Sequence, residues 1–180
     1  MKKLLLAILV CTLLLGAVPL ALACTGEVTG GGQIVVPGGV ASFGFNAMYF
    51  SRLPPGDVMG ELEYNDHTGF NVHAHIMTWI WVDTPNPPDE LPNQPWPYIH
   101  AVFRGPCTID GEEGYRFEVN VYDHGEPGTG DAFVIKVWEE GDGVNSPPFG
   151  ESPPSNPALL IINAGDYLLN GNIQIHKPPK

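Results

Sequence analysis

The sequence predicts an all-β fold, an antiparallel β-sandwich or flattened barrel of about eight or nine strands with two long Pro-rich loops. Apolar and polar residues alternate with a period of two in most segments after residue 23, as along strands with one buried face. The same part of the sequence shows no helical period. Because the alternating segments follow one another at short spacing, antiparallel pairing is favoured over crossover connections.

Aromatic and β-branched residues occupy every second position in the strongest strand candidates. These candidates are 43–49, 70–82, 115–122 and 133–138. Further candidates are 28–36, 58–64, 98–103, 159–162 and 171–176. Two proline clusters, 83–97 and 143–157, separate strands. Proline has no N–H donor for a central strand, so both clusters are predicted as long loops.

Residues 1–23 have the features of a secretory signal peptide. Two lysines precede the apolar run 4–15, and a small-x-small signal predicts cleavage after Ala23. A membrane anchor is the alternative, but the run is short for a span of ~20 residues, and no later segment is apolar enough to span. We expect a secreted or cell-surface protein in which residues 24–180 form a single β domain.

Two cysteines, Cys24 and Cys107, remain once the leader is removed. In an oxidising compartment they are predicted to form a disulfide. The alternative is that Cys24 is a lipidated first residue that anchors the protein. The disulfide is favoured, because Ala21 stands where lipoprotein signals usually carry leucine.

The chain is acidic, with 8 Lys and Arg residues against 20 Asp and Glu residues and a formal net charge of −12. This balance argues against nucleic-acid binding, which needs clustered basic residues. Removal of the leader removes two lysines and makes the protein more acidic. Such a charge favours solubility and Ca²⁺ or cationic partners.

The segment 123–131 contains oxygen ligands of the kind that Ca²⁺ prefers. Asp123, Glu126 and Asp131 are the candidate ligands there, with Asp66 as a fourth. In the alternative interpretation the segment is a hairpin whose aspartates bind their own backbone.

His73 and His75 lie two positions apart in a predicted strand, so their imidazoles share one face. That arrangement chelates a transition metal if His67 or His100 supplies a third ligand. The alternative is a polar, solvent-facing strand surface.

Trp79 and Trp81 share the outward face of the same strand, and Trp96 lies in the adjacent Pro-rich loop. Exposed aromatic rings of this kind stack on sugars or on protein partners. The alternative is that a loop or a neighbouring element covers this face. The sequence carries no nucleophile elbow, zinc-protease or phosphate-loop motif, so we predict no catalytic residues and no enzyme activity.

A set of short motifs covers most of the chain after the leader. They are the segments 28–34, 41–47, 64–67, 72–73, 105–108, 123–131 and 171–176, in this order. Together these motifs resemble the post-COAP domain family. The resemblance implies a small extracellular β domain of bacteria and archaea, often found behind choice-of-anchor domains. It places Asp66, Asp123, Glu126 and Asp131 in family motifs and implies no catalytic residue. Residues 168–170 depart from the family pattern before Gly171.

The leading functional prediction is a secreted or surface-attached, non-enzymatic β domain with a role in adhesion, envelope or matrix structure. Its partners are then an extracellular or envelope protein, a glycan, or further copies of itself. The first alternative is a carbohydrate-binding module that uses Trp79, Trp81 and Trp96. The second is a metal-dependent enzyme built on His73 and His75.

Overall fold

Strands account for most of the described chain. The computed structural model describes residues 24–50, 58–67, 69–83, 99–125, 127–128, 130–145 and 151–176. Its strands are β1 (Cys24–Val36), β2 (Gly39–Phe50), β3 (Val58–Asn65), β4 (Asn71–Ala74), β5 (Trp79–Asp83), β6 (Ile99–Ile109), β7 (Glu112–Asp123), β8 (Ala132–Glu139), β9 (Val144–Asn145), β10 (Glu151–Ser152) and β11 (Leu160–His176). A single 3₁₀ turn, Pro157–Leu159, precedes β11 within these residues.

Eight of the strands close into an antiparallel barrel. The order around it is β4-β3-β2-β1-β11-β8-β7-β6, and β6 pairs with β4 to complete the circle. β5 is an extra strand that pairs with β6, and β9 with β10 forms a separate two-stranded ladder. The predicted all-β antiparallel fold is therefore confirmed, and closure identifies it as a barrel.

The connections of this up-and-down barrel alternate between its two ends. We call the end with connections 66–70 and 110–111 the upper end, where the Asp110 N–H donates to the Asn71 carbonyl at 2.8 Å. The 124–131 connection lies at the opposite, lower end.

Aromatic rings fill the barrel. Phe43 stacks on Phe133 across the interior with ring centroids 3.9 Å apart, and Tyr64 approaches the same ring at 6.3 Å. All three are buried, as the period-two pattern predicts. Stacked aromatic pairs add about 0.5–1.5 kcal/mol beyond the area they bury, so this cluster holds opposite walls together.

The strand predicted over 70–82 is interrupted. The alternation fails where Ile76 is 59% exposed and Met77 is 1% exposed. Here the chain crosses close to β6, at Gly105, where an added Cβ would overlap the Ile76 carbonyl oxygen. The segment therefore forms β4 and β5, with an irregular crossing between them.

The strands predicted over 159–162 and 171–176 are one strand. β11 pairs with β8 along 160–167 and with β1 along 168–176, so it changes partner without turning. Gly171 permits the change for two reasons. Its φ of +109° is one that glycine adopts readily, and a Cβ at this position would overlap the Gly31 carbonyl oxygen.

The two Pro-rich segments have different outcomes. The first lies outside the described residues from 84 to 98. The second contains the β9–β10 ladder, with Asn145 opposite Glu151, and then the 3₁₀ turn. Asn156 caps that turn by accepting the Ala158 N–H at 3.1 Å. The described part of this predicted loop therefore contains a short ladder and a turn.

The structure contradicts the predicted Cys24–Cys107 disulfide. Cys107 is a free, buried thiol on β6, and Cys24 begins β1. Three strands separate β1 from β6 in either direction around the barrel, so they form opposite walls. A disulfide requires Cα atoms within about 7 Å. Burial raises the pKa of the Cys107 thiol to about 12.

The predicted leader, residues 1–23, lies outside the described residues, as do its cleavage site at Ala23 and the Cys24 side chain. Along the part of the chain that the structure describes, no helix is long and apolar enough to cross a membrane.

Candidate functional site

The outward face of β7 is buried, which is unusual for the outside of a barrel. Glu118 is 6% exposed and Asn120 is 5% exposed. The β9–β10 ladder packs over part of this face and over neighbouring β8 through Glu151. Its Oε2 lies 3.8 Å from Arg116 Nε on β7, and its Oε1 accepts the Trp138 Nε1–H at 3.2 Å and the Gly143 N–H at 2.7 Å. A strand surface that the pattern marks as polar is thus enclosed and ordered.

Register places three side chains of the site in one row across β5, β6 and β7. Trp79 is opposite Arg104, and Arg104 is opposite Glu118. The Arg104 Nε and Nη2 atoms each lie 2.5 Å from Glu118 Oε2, and Nη1 donates to the Ser152 hydroxyl at 2.9 Å. The guanidinium also lies 4.6 Å from the centroid of the Trp79 ring. Arg104 is therefore fixed by an ion pair, a hydrogen bond and a cation–π contact.

A second set of contacts orders the neighbouring rows. The Asn120 amide donates to Glu118 Oε1 at 3.1 Å. Asn120 Oδ1 lies 3.0 Å from His100 Nε2, which assigns the hydrogen to that nitrogen because an amide oxygen only accepts. The His100 ring stacks on Tyr122 at 4.5 Å and meets the Trp81 ring edge-on at 5.9 Å.

These side chains line an open groove on the outside of the barrel, with a volume of about 420 Å³. We call it the aromatic groove and define it by Trp79, Trp81, Val102, Arg104, Glu118, Asn120 and Ser152. Trp81 is 44% exposed at its edge. The groove combines an accessible indole with planar polar side chains that are already held in place. That combination suits a ligand with both apolar and hydroxyl-bearing surfaces.

The structure places two of the three predicted tryptophans together. Trp79 and Trp81 project from the same face of β5 into the aromatic groove. Trp96 lies outside the described residues. A neighbouring element borders one side of this face, since Ser152 of β10 lines the groove and binds Arg104, while Trp81 stays accessible.

The aspartates at the lower end bind backbone. β8 begins at residue 132, so the later residues of β11 have no β8 partner on that side. Asp131 Oδ2 accepts the Ile173 N–H at 2.8 Å, and Asp123 Oδ2 accepts the Ile175 N–H at 2.9 Å. The two carboxylates thus replace the missing strand as hydrogen-bond partners of β11.

The remaining oxygens of these carboxylates bind their own connection. Asp131 Oδ1 accepts the His124 N–H at 2.9 Å, and Asp123 Oδ1 accepts the Gly125 N–H at 2.7 Å. Burial raises the pKa of Asp131, while the donors His124 and Ile173 lower it by less. All four oxygens therefore serve the fold, as the backbone-binding interpretation expects.

Asp66 does not join these carboxylates. It lies at the upper end, where Oδ1 accepts the N–H groups of Gly69 at 2.9 Å and Phe70 at 3.0 Å. Glu126 lies outside the described residues. Among the residues that the structure describes, no group of three or more His, Cys, Asp or Glu side chains is placed to hold a metal ion. The four predicted calcium ligands are therefore not assembled in the described chain.

The predicted histidine ligands are also only partly brought together. The rings of His73 and His75 do meet, edge to face, with centroids 3.9 Å apart. The proposed third ligands lie elsewhere, since His67 contacts the Ser42 hydroxyl at 3.1 Å and His100 belongs to the aromatic groove. A three-histidine site is therefore not formed.

Sequence reasoning missed the polar half of the aromatic groove. Glu118 and Asn120 alternate with core residues of β7, so the pattern places them together on the outward face. Nothing in the local pattern says that Arg104 lies directly opposite Glu118, because that follows from strand register. An outward face that combines charged and aromatic residues is the signal that points to such a site.

The chain matches no protein-family model, no curated protein and no solved structure. The resemblance to the post-COAP family accordingly stays a prediction from motifs. The fold itself defines the class as an all-β, antiparallel, closed barrel with one extra strand, and this class alone specifies no activity.

Proposed function

We propose that the protein is a secreted or cell-surface, non-enzymatic binding protein that recognises a carbohydrate in the aromatic groove. Through this contact it would act in adhesion, or in envelope or matrix structure. The observation that carries the proposal is the exposed indole of Trp81 beside the fixed polar set of Arg104, Glu118 and Asn120.

The chemistry of the groove suits a sugar ring. A pyranose presents C–H groups on its faces and hydroxyls at its edge, so it stacks on an indole while its hydroxyls bind nearby polar groups. Arg104 offers donors, Glu118 offers acceptors and Asn120 offers both. Each hydroxyl donates and accepts, so a mixed set satisfies it better than a purely basic or acidic one.

Preorganisation supports affinity at this groove. Arg104 and Glu118 hold each other, and Asn120 is fixed between Glu118 and His100. Side chains that are already ordered lose little conformational freedom on binding, which otherwise costs about 0.5–1.5 kcal/mol for each flexible side chain. The open shape of the groove leaves room for more than one sugar residue along it.

The carboxylate content of the aromatic groove favours binding of a sugar over cleavage of a glycosidic bond. Glu118 is the one carboxylate among the described residues that line the aromatic groove. Hydrolysis of a glycosidic bond generally uses two carboxyl groups that flank it. The Glu118 carboxylate is also occupied by Arg104 and Asn120, which suits a positioning role more than proton transfer.

A glycan array tests the proposal. We expect wild-type protein to bind one class of glycan, and Trp81→Ala to lose at least tenfold in affinity by calorimetry, while Trp81→Phe keeps part of the binding. Phe70→Ala is the matched control, because Phe70 is a 38% exposed aromatic residue at the upper end, away from the groove. Absence of any glycan signal, or full binding by Trp81→Ala, would overturn the proposal.

A further inference from the structure

A second site candidate lies on β3 and β4, apart from the aromatic groove. His73 pairs with Glu63 across these strands, and His75 follows the end of β4. The side chains of His75, Glu61 and Glu63 are about two-thirds exposed, and that of His73 is one-third exposed. All four are thus accessible to an ion from solvent.

The two imidazoles face each other through the same type of nitrogen. His73 Nε2 is in direct contact with His75 Nε2, and the rings are nearly perpendicular, at 79°. On the far side of each ring is a carboxylate. His73 Nδ1 contacts Glu63 Oε1, and His75 Nδ1 lies 3.9 Å from Glu61 Oε1.

The contact with Glu63 sets the tautomer of His73. An ionised carboxylate only accepts, so the hydrogen of neutral His73 lies on Nδ1 and a lone pair remains on Nε2. His75 Nδ1 lies 3.9 Å from Glu61 Oε1, too far for a hydrogen bond, so both tautomers are open to His75. In one, His75 donates its Nε2–H to His73; in the other, both Nε2 lone pairs face the space between the rings, where an ion can bind.

We propose that His73 and His75 bind a divalent late transition-metal ion, Cu²⁺ or Zn²⁺, through their Nε2 atoms. Neutral imidazole nitrogen is a preferred ligand of both ions. Glu63 orients the His73 ring from outside the coordination sphere, in the carboxylate–histidine–metal arrangement that fixes the tautomer of metal-binding histidines, and Glu61 lies 3.9 Å from the matching nitrogen of His75. Water completes the coordination.

The surroundings provide space for the remaining ligands. A cleft of about 300 Å³ adjoins the pair and is lined by both histidines and by Glu113 and Glu140. Glu113 adds negative charge to this cleft, which raises the local concentration of cations, while Glu140 is also paired with Arg116 at 3.2 Å. With two protein ligands, the site is expected to bind one ion per chain and to exchange it readily.

The test uses the untagged chain, stripped of metal with a chelator and titrated with Zn²⁺ or Cu²⁺ alone. Calorimetry should give one ion per chain, and the electron paramagnetic resonance spectrum of the Cu²⁺ form should show imidazole nitrogen coupling. We expect His73→Ala and His75→Ala each to weaken binding at least tenfold. Glu63→Gln should weaken it about 10–100-fold while leaving both nitrogens in place.

His176→Ala is the matched control, since it removes an exposed histidine from the end of β11 and should leave the affinity unchanged. Circular dichroism of each variant separates lost binding from lost folding. Absence of a saturable ion would overturn the proposal and leave the contact as a hydrogen bond between the two rings. Unchanged affinity in the His73→Ala, His75→Ala double variant would also overturn it.

Discussion

The lower-end aspartates and the histidine pair show how differently one fold can use groups of metal-binding type. Asp123 and Asp131 direct all four carboxylate oxygens at backbone N–H groups. His73 and His75 direct one nitrogen each at a carboxylate and the other at a second nitrogen. Each aspartate oxygen thus accepts a hydrogen bond from the backbone, while the two histidines direct ring nitrogens at each other, where an ion can bind.

This difference explains why residue type alone is a weak guide to metal sites. The segment 123–131 carries three carboxylates, so from the sequence it is a reasonable calcium candidate. A carboxylate near the end of a short strand has another use, which is to satisfy N–H groups that lack a strand partner. The hydrogen bonds that each carboxylate accepts show which of the two uses applies.

Asp131→Ala tests the structural role and should have the largest effect on stability. The change leaves the Ile173 and His124 N–H groups without their acceptor, and each unpaired buried donor costs roughly 1–3 kcal/mol. We expect the free energy of unfolding to fall by about 3 kcal/mol in urea titrations. Asp142→Ala, at an exposed position, should change it by no more than about 0.5 kcal/mol. Equal losses in the two variants would contradict the strand-replacement role.

Metal addition tests both halves of the comparison at once. If Zn²⁺ binds at His73 and His75, a concentration about 100 times its dissociation constant stabilises the fold by roughly 2.7 kcal/mol, or on the order of 5–10 °C in Tm. Millimolar Ca²⁺ should shift Tm by less than about 1 °C, because the aspartate oxygens are occupied. A calcium-dependent rise in Tm that Asp123→Asn abolishes would show that the loop binds Ca²⁺ after all.

The sequence predicts the strands well, because side-chain alternation depends only on the period of an extended chain and not on its partners. It fails at 76–77, where a crossing over Gly105 breaks the period, and within β11, which changes partner without a turn. The disulfide fails for a related reason, since the distance between β1 and β6 is set by barrel closure.

In the candidate sites, too, local features can be predicted from the sequence and contacts between strands cannot. Trp79 and Trp81 are recognisable from one strand, as are His73 and His75, because each pair lies two residues apart. The ion pair of Arg104 with Glu118 joins two strands, and the Glu63 contact with His73 does so as well. Contacts that depend on register carry no local sequence signal, so these partners emerge only from the folded chain.

The pH dependence of stability tests whether burial or hydrogen bonding dominates the pKa of Asp131. We expect a smaller effect here than from Asp131→Ala. Burial raises the pKa of Asp131 above its ordinary value of 3.8, so the folded state holds the proton more tightly than the unfolded state. Stability then falls as pH rises from the unfolded pKa through the folded one. We expect wild-type protein to lose stability relative to Asp131→Asn across that interval in urea titrations. A relative gain would mean that the two N–H donors outweigh burial.

Thiol labelling sharpens the comparison further, because it measures how accessible and how reactive Cys107 is in the native protein. Cys107 lines the same cleft as His73 and His75 but is buried, and burial raises its pKa to about 12, with Arg116 lowering it by less. Because the thiolate is the reactive form, native protein at pH 8 should react with a disulfide reagent far more slowly at Cys107 than denatured protein does. Peptide mapping after labelling identifies the site. Rapid native labelling, or a peptide that links Cys107 to Cys24, would show that the thiol is not held in the core as the structure has it. Slow labelling would mean that Cys107 serves packing in the wall of this cleft and is not a reactive thiol.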